Sequence, residues 1–236
     1  MTDRENLFAP IHKGIRSMIY EMGLRLGTTD FRDQIVGNRM ADELIANLSW
    51  SSSNCFLCLL KVHSRHEERD FFAPLRPHDP DVVTRMMKQH REIVTRVSKV
   101  AATCRELQEE TDPVRRLEIG DRLHLDVGDL FVVYLAHLND EESLMVPVMW
   151  EHFTDEQLRA FRSLFYNRIP LPRFEQWMRW TLPALNPHEL VVLLDGMRSE
   201  PSPNRFADAV RVAKESLHPT ELALLEAELE GRALGT

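Results

Sequence analysis

The feature that most constrains this chain is a pattern that occurs twice. His63-Ser-Arg-His-Glu67-Glu68, followed by Pro74, is echoed by His137-Leu-Asn-Asp-Glu141-Glu142, followed by Pro147. A lone histidine precedes each motif by about fifty residues, His12 in the first case and His90 in the second. On an α-helix each residue advances by about 100°, so a residue four along lies one turn up and only about 40° around. His63 therefore shares a face with Glu67, and His137 with Glu141. Glu68 and Glu142, five along from each histidine, fall about 140° away and are expected to point elsewhere.

Two helical hairpins related by a pseudo-twofold axis would each deliver two imidazoles and one carboxylate to a common interior. Buried charge of that kind is costly unless neutralised, and two divalent ions bridged by the glutamates would neutralise it at a separation of roughly 3.5 to 4 Å. Mixed imidazole and carboxylate donors suit iron or manganese better than metals that prefer thiolate. A single His-x-x-x-Glu pair on a helix is most often a surface ion pair. Repetition with matched lone histidines points instead to ligation by His12, His63, Glu67, His90, His137 and Glu141.

The rest of the sequence agrees with such a scaffold. Only 9 of 236 residues are glycine, and apolar residues recur at three and four, so an all-α fold is expected. The first helix is expected from about Pro10 to Leu26, with Ile11, Ile15, Met18, Ile19 and Met22 as its apolar stripe. A second helical region extends from about Asn38 to Phe72, with a break near Ser51-Ser52-Ser53. A third starts at Asp79-Pro80-Asp81 and runs to about Glu110, and a fourth runs from Asp112-Pro113 to about Trp150. The last two each begin with an acidic cap beside a proline of the first turn. Long helices with short connections imply antiparallel neighbours, hence an up-down four-helix bundle over 1–152. After that, repeated prolines cut the chain into short helices, so 153–236 reads as a helical annex. Thr154 to Gln157 is a capping box there, and Asn186-Pro187 and His218-Pro219 are further helix starts.

The flanks sharpen the reading. "IHKGIR", "HSRHEERDFFAPL", "KQHREI" and "HLNDEESLMVPVM" together resemble the hemerythrin HHE cation-binding domain over about residues 8 to 152. The resemblance makes His12 the first-helix ligand, His63 and Glu67 the second-helix pair, His90 the third-helix ligand, and His137 and Glu141 the fourth-helix pair. It implies two non-haem iron ions, with manganese as the substitute, and a bridging oxo, hydroxo or water. Oxygen-carrying hemerythrins have a second histidine four residues after the third-helix ligand and an aspartate in the fourth-helix motif, where this chain has Val94 and Glu141. Its four-histidine, two-glutamate set is more similar to that of iron-sulfur repair proteins and of the iron-sensing domain of an F-box ubiquitin ligase. The resemblance thus implies sensing or processing of oxygen, nitric oxide or peroxide, in iron homeostasis, cluster repair or a stress response. The alternative is an interaction module controlled by iron occupancy, without catalysis. "FEQWMRWTLPALNPHEL" is similar to the extension of some HHE proteins and implies no activity.

Other residues carry less. His66 could reach the site or face a helix boundary, and the second is favoured. His124 is expected at the surface, and His78, His152, His188 and His218 in loops or at helix starts. Tyr134, one turn from His137, is expected in the core with its hydroxyl satisfied. Cys55 and Cys58 have a redox-like spacing but are expected mid-helix, as buried thiols. Trp177 and Trp180 are expected to pack as core. Leu190 to Leu194 could bury within the annex or against a second subunit, a homodimer or other protein partner.

The formal net charge of -8 and the interspersion of basic with acidic residues exclude a phosphate-tracking nucleic-acid surface. No apolar run approaches the roughly 18 residues of a membrane span, and MTDRENLF is charged where a secretory signal would be apolar. The cytoplasm is the expected location.

Overall fold

The computed structural model describes residues 4–45, 55–200 and 203–234. Among them every regular element is a helix. The longer α-helices are α1 (Ala9–Gly27), α2 (Gln34–Ile45), α3 (Phe56–Glu67), α4 (Pro80–Glu109), α5 (Pro113–Asp140), α6 (Asp155–Arg168), α7 (Leu171–Thr181), α8 (Pro187–Arg198), α9 (Pro203–Ser216) and α10 (Pro219–Leu234), with shorter helical pieces at Ala73–Leu75, Val146–His152 and Leu182–Ala184 and two π-helical turns. The break expected near Ser51-Ser53 lies outside the described residues. No described helix is long and apolar enough to cross a membrane.

The caps legible in the sequence do what their chemistry allows. The Asp79 carboxylate accepts from the Val82 N–H, and that of Asp112 from the N–H groups of Val114 and Arg115. Each is followed by a proline, which has no N–H to satisfy and a φ already helical. Thr154 with Gln157, and Asn186 with Glu189, form reciprocal capping boxes. The second helical region starts earlier than Asn38, because the Asp33 carboxylate accepts from the N–H groups of Ile35 and Val36 and caps α2.

One expectation is corrected here. Cys55 is not mid-helix: it is the N-cap of α3, with its sulfur accepting from the Cys58 N–H at 3.3 Å. Both thiols are nonetheless buried, and the Cys55 thiol is pushed up by its bond to Cys58 and by burial.

The chain divides into two compact units, one of residues Ile19–Val148 and one of residues up to Met18 together with those from Met149 onward. In the first unit α4 and α5 are antiparallel. Arg85 pairs with Asp140, Gln89 with His137, Arg96 with Asp129, Thr103 with Asp126 and Glu106 with Arg122, so the numbers rise on one helix as they fall on the other. The three-residue link between these helices leaves no other arrangement. Its end is tied by Arg116, which is fully buried and donates to the carbonyls of Phe31 at 3.0 Å, Leu107 at 2.6 Å and Glu110 at 2.8 Å. Two of those are carbonyls at the end of α4 that its own helical bonds cannot satisfy. Gly120 leaves room for the Phe31 ring, since a Cβ there would lie 2.3 Å from it.

In the other unit the N-terminal residues are held by the C-terminal helices. Arg4 donates to Asp155 at 3.0 Å and to the Phe153 carbonyl at 2.7 Å. The Trp150 indole donates to the Glu5 carbonyl at 2.8 Å, and Arg162 joins Glu5 to Glu200. Gly14 passes so close to α7 that a Cβ would lie 2.9 Å from Thr181. These contacts explain why the first eighteen residues group with the annex. Phe174, Trp177, Leu190, Val191, Leu193 and Leu194 are buried core of this unit, as the sequence leads one to expect for Trp177, while Trp180 is half-buried.

Candidate metal centre

The unit Ile19–Val148 brings five of the six expected ligands together. His63 and Glu67 lie one turn apart on α3, His90 on α4, His137 on α5, and Glu141 just beyond it. None is more than 2% exposed. His63 Nε2 lies 2.8 Å from Glu67 Oε1, and His137 Nε2 lies 3.3 Å from Glu141 Oε1. His90 Nε2 lies 3.5 Å from the other Glu67 oxygen, 4.0 Å from Glu141, and 2.9 Å from His137 Nε2. Glu67, His90, His137 and Glu141 each offer a ligand atom within 4.8 Å of the others, and so do His63, Glu67 and Glu141. His12 is fully buried on α1, 5.4 Å from the Phe8 ring between centroids, within the unit that contains the annex.

Two ring nitrogens facing each other at 2.9 Å need a proton or a cation between them, because two lone pairs repel. Burial pushes the His90 pKa down, but hydrogen bonds to Glu67 and Glu68 and the charges of Glu67 and Glu141 outweigh it and raise the pKa to about 9. A site that draws a positive charge this strongly onto one imidazole is one in which a divalent cation finds compensation. The donors are imidazole nitrogens and carboxylate oxygens with no thiolate among them, which fits iron or manganese.

Both His-x-x-x-Glu motifs run into a π-helical turn, Glu68–Phe72 after the first and Glu141–Met145 after the second. Such turns take one extra residue into the hydrogen-bonded loop and are frequent at functional sites. Their placement matches the sequence repeat, although nothing in the α-helical arithmetic foresaw them. The expectation for Glu68 is accordingly revised. It does point away from the ligand face of His63, but it reaches across to α4, where its carboxylate accepts from His90 Nδ1 at 2.8 Å. On α5 the corresponding imidazole, His137, is bonded through Nδ1 to Gln89 at 3.0 Å. Sequence reasoning missed Glu68 and Gln89 as supporting residues. The one clue available was that each is the immediate neighbour of a ligand.

The surroundings are apolar on one side and satisfied on the other. Phe72 stacks on the His90 ring at 5.1 Å between centroids, and Tyr134 meets His137 edge-on at 6.1 Å. The Tyr134 hydroxyl donates to the Leu60 carbonyl at 3.1 Å, as expected of a core tyrosine. Burial and the charges of Glu67 and Glu141 raise its pKa well above the usual value, so it stays a phenol. His66 is buried beside the motif but belongs to neither ligand cluster, and burial with nearby Arg69 and His63 lowers its pKa to about 4. His78, His124, His152, His188 and His218 are exposed. Val94, where oxygen carriers place a further histidine, is 43% exposed and has no part in the cluster.

Among the described residues, whose regular elements are all helices, buried histidines and glutamates gather in an arrangement that could hold a metal ion. The family model of the hemerythrin HHE cation-binding domain matches residues 11–149, and the chain belongs to that family. No curated protein and no solved structure gives a significant match.

Proposed function

We propose that the protein is a non-haem di-iron protein in which His12, His63, Glu67, His90, His137 and Glu141 hold two iron ions, with manganese as the substitute and a bridging oxygen ligand. In this reading 1–152 form a hemerythrin-like up-down four-helix bundle and 153–236 a helical extension. The protein senses or processes oxygen, nitric oxide or peroxide. The observation that carries the proposal is the convergence of five buried ligand side chains with their nitrogen and oxygen donors turned to one another. The sixth, His12, is supported by the repeat, since it precedes the first motif as His90 precedes the second, and by its full burial. Bound iron would supply an open coordination position for the small ligand. The chain's own residues would hold the metal, cover the His90 ring with Phe72, and keep a phenol, Tyr134, beside His137.

Elemental analysis tests the ligand set: His137→Ala and Glu141→Ala should each bring iron well below two per chain. If both variants keep full metal, the assignment is wrong. Stopped-flow mixing of the reduced protein with oxygen or peroxide tests the role, through growth of a visible absorption band or turnover of the peroxide. Neither response, with iron in place, selects the module whose iron occupancy governs protein contacts through 153–236.

A further inference from the structure

Gln89 stands on α4 immediately before His90, but its side chain serves α5. Its Nε2 donates to Asp140 Oδ2 at 2.6 Å, and its Oε1 lies 3.0 Å from His137 Nδ1. Arg85, one turn earlier on α4, donates to the same Asp140 oxygen, at 2.7 Å from one guanidinium nitrogen and 3.2 Å from another. This order of partners is chemically directional. A carboxylate held by arginine only accepts, so the amide must turn its NH₂ group toward Asp140. The amide oxygen is then what remains for His137, and an oxygen can only accept. Nδ1 of His137 therefore carries the ring hydrogen, and the lone pair is on Nε2, the atom that faces His90 and Glu141.

We infer that Arg85, Asp140 and Gln89 form a positioning chain that sets His137 in the tautomer and orientation a metal ligand needs. The inference rests on the reading of His137 as a ligand. A hydrogen bond to the outer nitrogen of a ligating imidazole fixes its ring and raises its basicity, and losing such a partner typically weakens metal binding tenfold to a hundredfold. The two histidines of this cluster are not equally supported. His90 is backed by Glu68, whose side chain is 36% exposed, so water can replace it. Gln89 is held at both ends, and its link to Asp140 spans the two helices. The chain should therefore matter more for His137 than Glu68 does for His90.

The arrangement allows a test by reversal. Cobalt(II) is titrated into the metal-free full-length chain, with its visible bands reporting ligation, for the wild type and for Gln89→Leu, Gln89→Glu, Gln89→Glu with Asp140→Asn, and His137→Ala. Q89L should weaken one of the bound ions by about tenfold to a hundredfold. Q89E should do the same, because it sets two carboxylates against each other where an amide met one. Adding Asp140→Asn should recover only part of the Q89E loss, because one Asp140 oxygen accepts from both Gln89 and Arg85, so an amide NH₂ turned toward the new carboxylate also meets the guanidinium. A purely structural link between the helices would show in the melting temperature of the metal-free variants and leave affinity alone. Long-range proton–nitrogen spectra of the imidazoles give a readout without metal: His137 should be the Nδ1–H tautomer in the wild type and gain the Nε2–H form in Q89L. The inference is overturned if Q89L keeps wild-type affinity and tautomer while His137→Ala loses metal. Full metal in His137→Ala would instead overturn the proposed function.

Discussion

Replacing Glu141 by glutamine separates a metal centre from a structural hydrogen-bond network, because the two make opposite demands on its charge. The side chain is fully buried, 3.3 Å from His137 Nε2 and 4.0 Å from His90 Nε2. In the metal-free protein two buried carboxylates, Glu67 and Glu141, face His90, and Glu67 is the nearer at 3.5 Å. Two carboxylates buried this close together repel, and burying such charge costs several kcal/mol. E141Q keeps the shape and removes the charge. It should leave the metal-free protein unchanged or more stable by about 1–2 kcal/mol, which for a chain of this size raises Tm by about 2–8 °C. With iron the order reverses. An ion at a hundred times its Kd stabilises by about 2.7 kcal/mol, or about 5–11 °C in Tm, and E141Q should forfeit that amount for each ion it loses. The assay is scanning calorimetry of chelator-stripped and anaerobically iron(II)-loaded protein, with metal content measured on the same samples. A metal-free E141Q several degrees below wild type, with iron content unchanged, would refute the reasoning and make Glu141 a structural residue.

Other consequences follow from the packing and the titrations. Arg116→Met strands the buried carbonyls of Phe31 and Leu107 and the half-buried one of Glu110, and should cost about 3–5 kcal/mol in urea unfolding of the metal-free protein; a loss under 1 kcal/mol would mean water replaces the guanidinium. Gly120→Ala drives a Cβ into the Phe31 ring and should cost about 1–3 kcal/mol, most of it recovered when Phe31→Ala is added; additive losses would show that the clash is not the cause. His66 binds its proton less tightly in the native state, at a pKa of about 4 against an ordinary 6.5. The unfolded chain thus holds this proton between those values, so His66 makes metal-free stability rise by about 3 kcal/mol from pH about 4 to about 6.5, above which the raised pKa of His90, about 9, makes it fall again. Equilibrium unfolding of His66→Gln should lose that part of the pH dependence, and an unchanged slope would remove His66 as its source.

Much of the fold was legible because it depends on neighbours along the chain. The apolar stripe of α1, Ile11 to Met22, is buried as its three-and-four spacing requires. The acidic caps at Asp79 and Asp112 and the boxes at Thr154 and Asn186 start their helices because the partner is always two or three residues away. The same locality made His63 with Glu67, and His137 with Glu141, readable as shared faces. The choice of Glu67 and Glu141 over the next glutamates also agrees with burial, since Glu67 and Glu141 are fully buried and Glu68 and Glu142 are not.

What periodicity missed depends on contacts between distant segments. The placement of Cys55 at a helix start turned on where α3 begins, and the grouping of the first eighteen residues with the annex on bonds such as Arg4 to Asp155. The bond of Glu68 to His90 and the path from Arg85 through Asp140 and Gln89 to His137 each cross between helices. Such pairings depend on the register and rotation of one helix against another, which no spacing within a single helix encodes. The sequence by itself determined that this chain is helical and which side chains can share a face as ligands. Only the tertiary structure decided which neighbours hold those ligands in place, because a hydrogen bond across a helix pair exists only once the packing of both helices has set its length and direction.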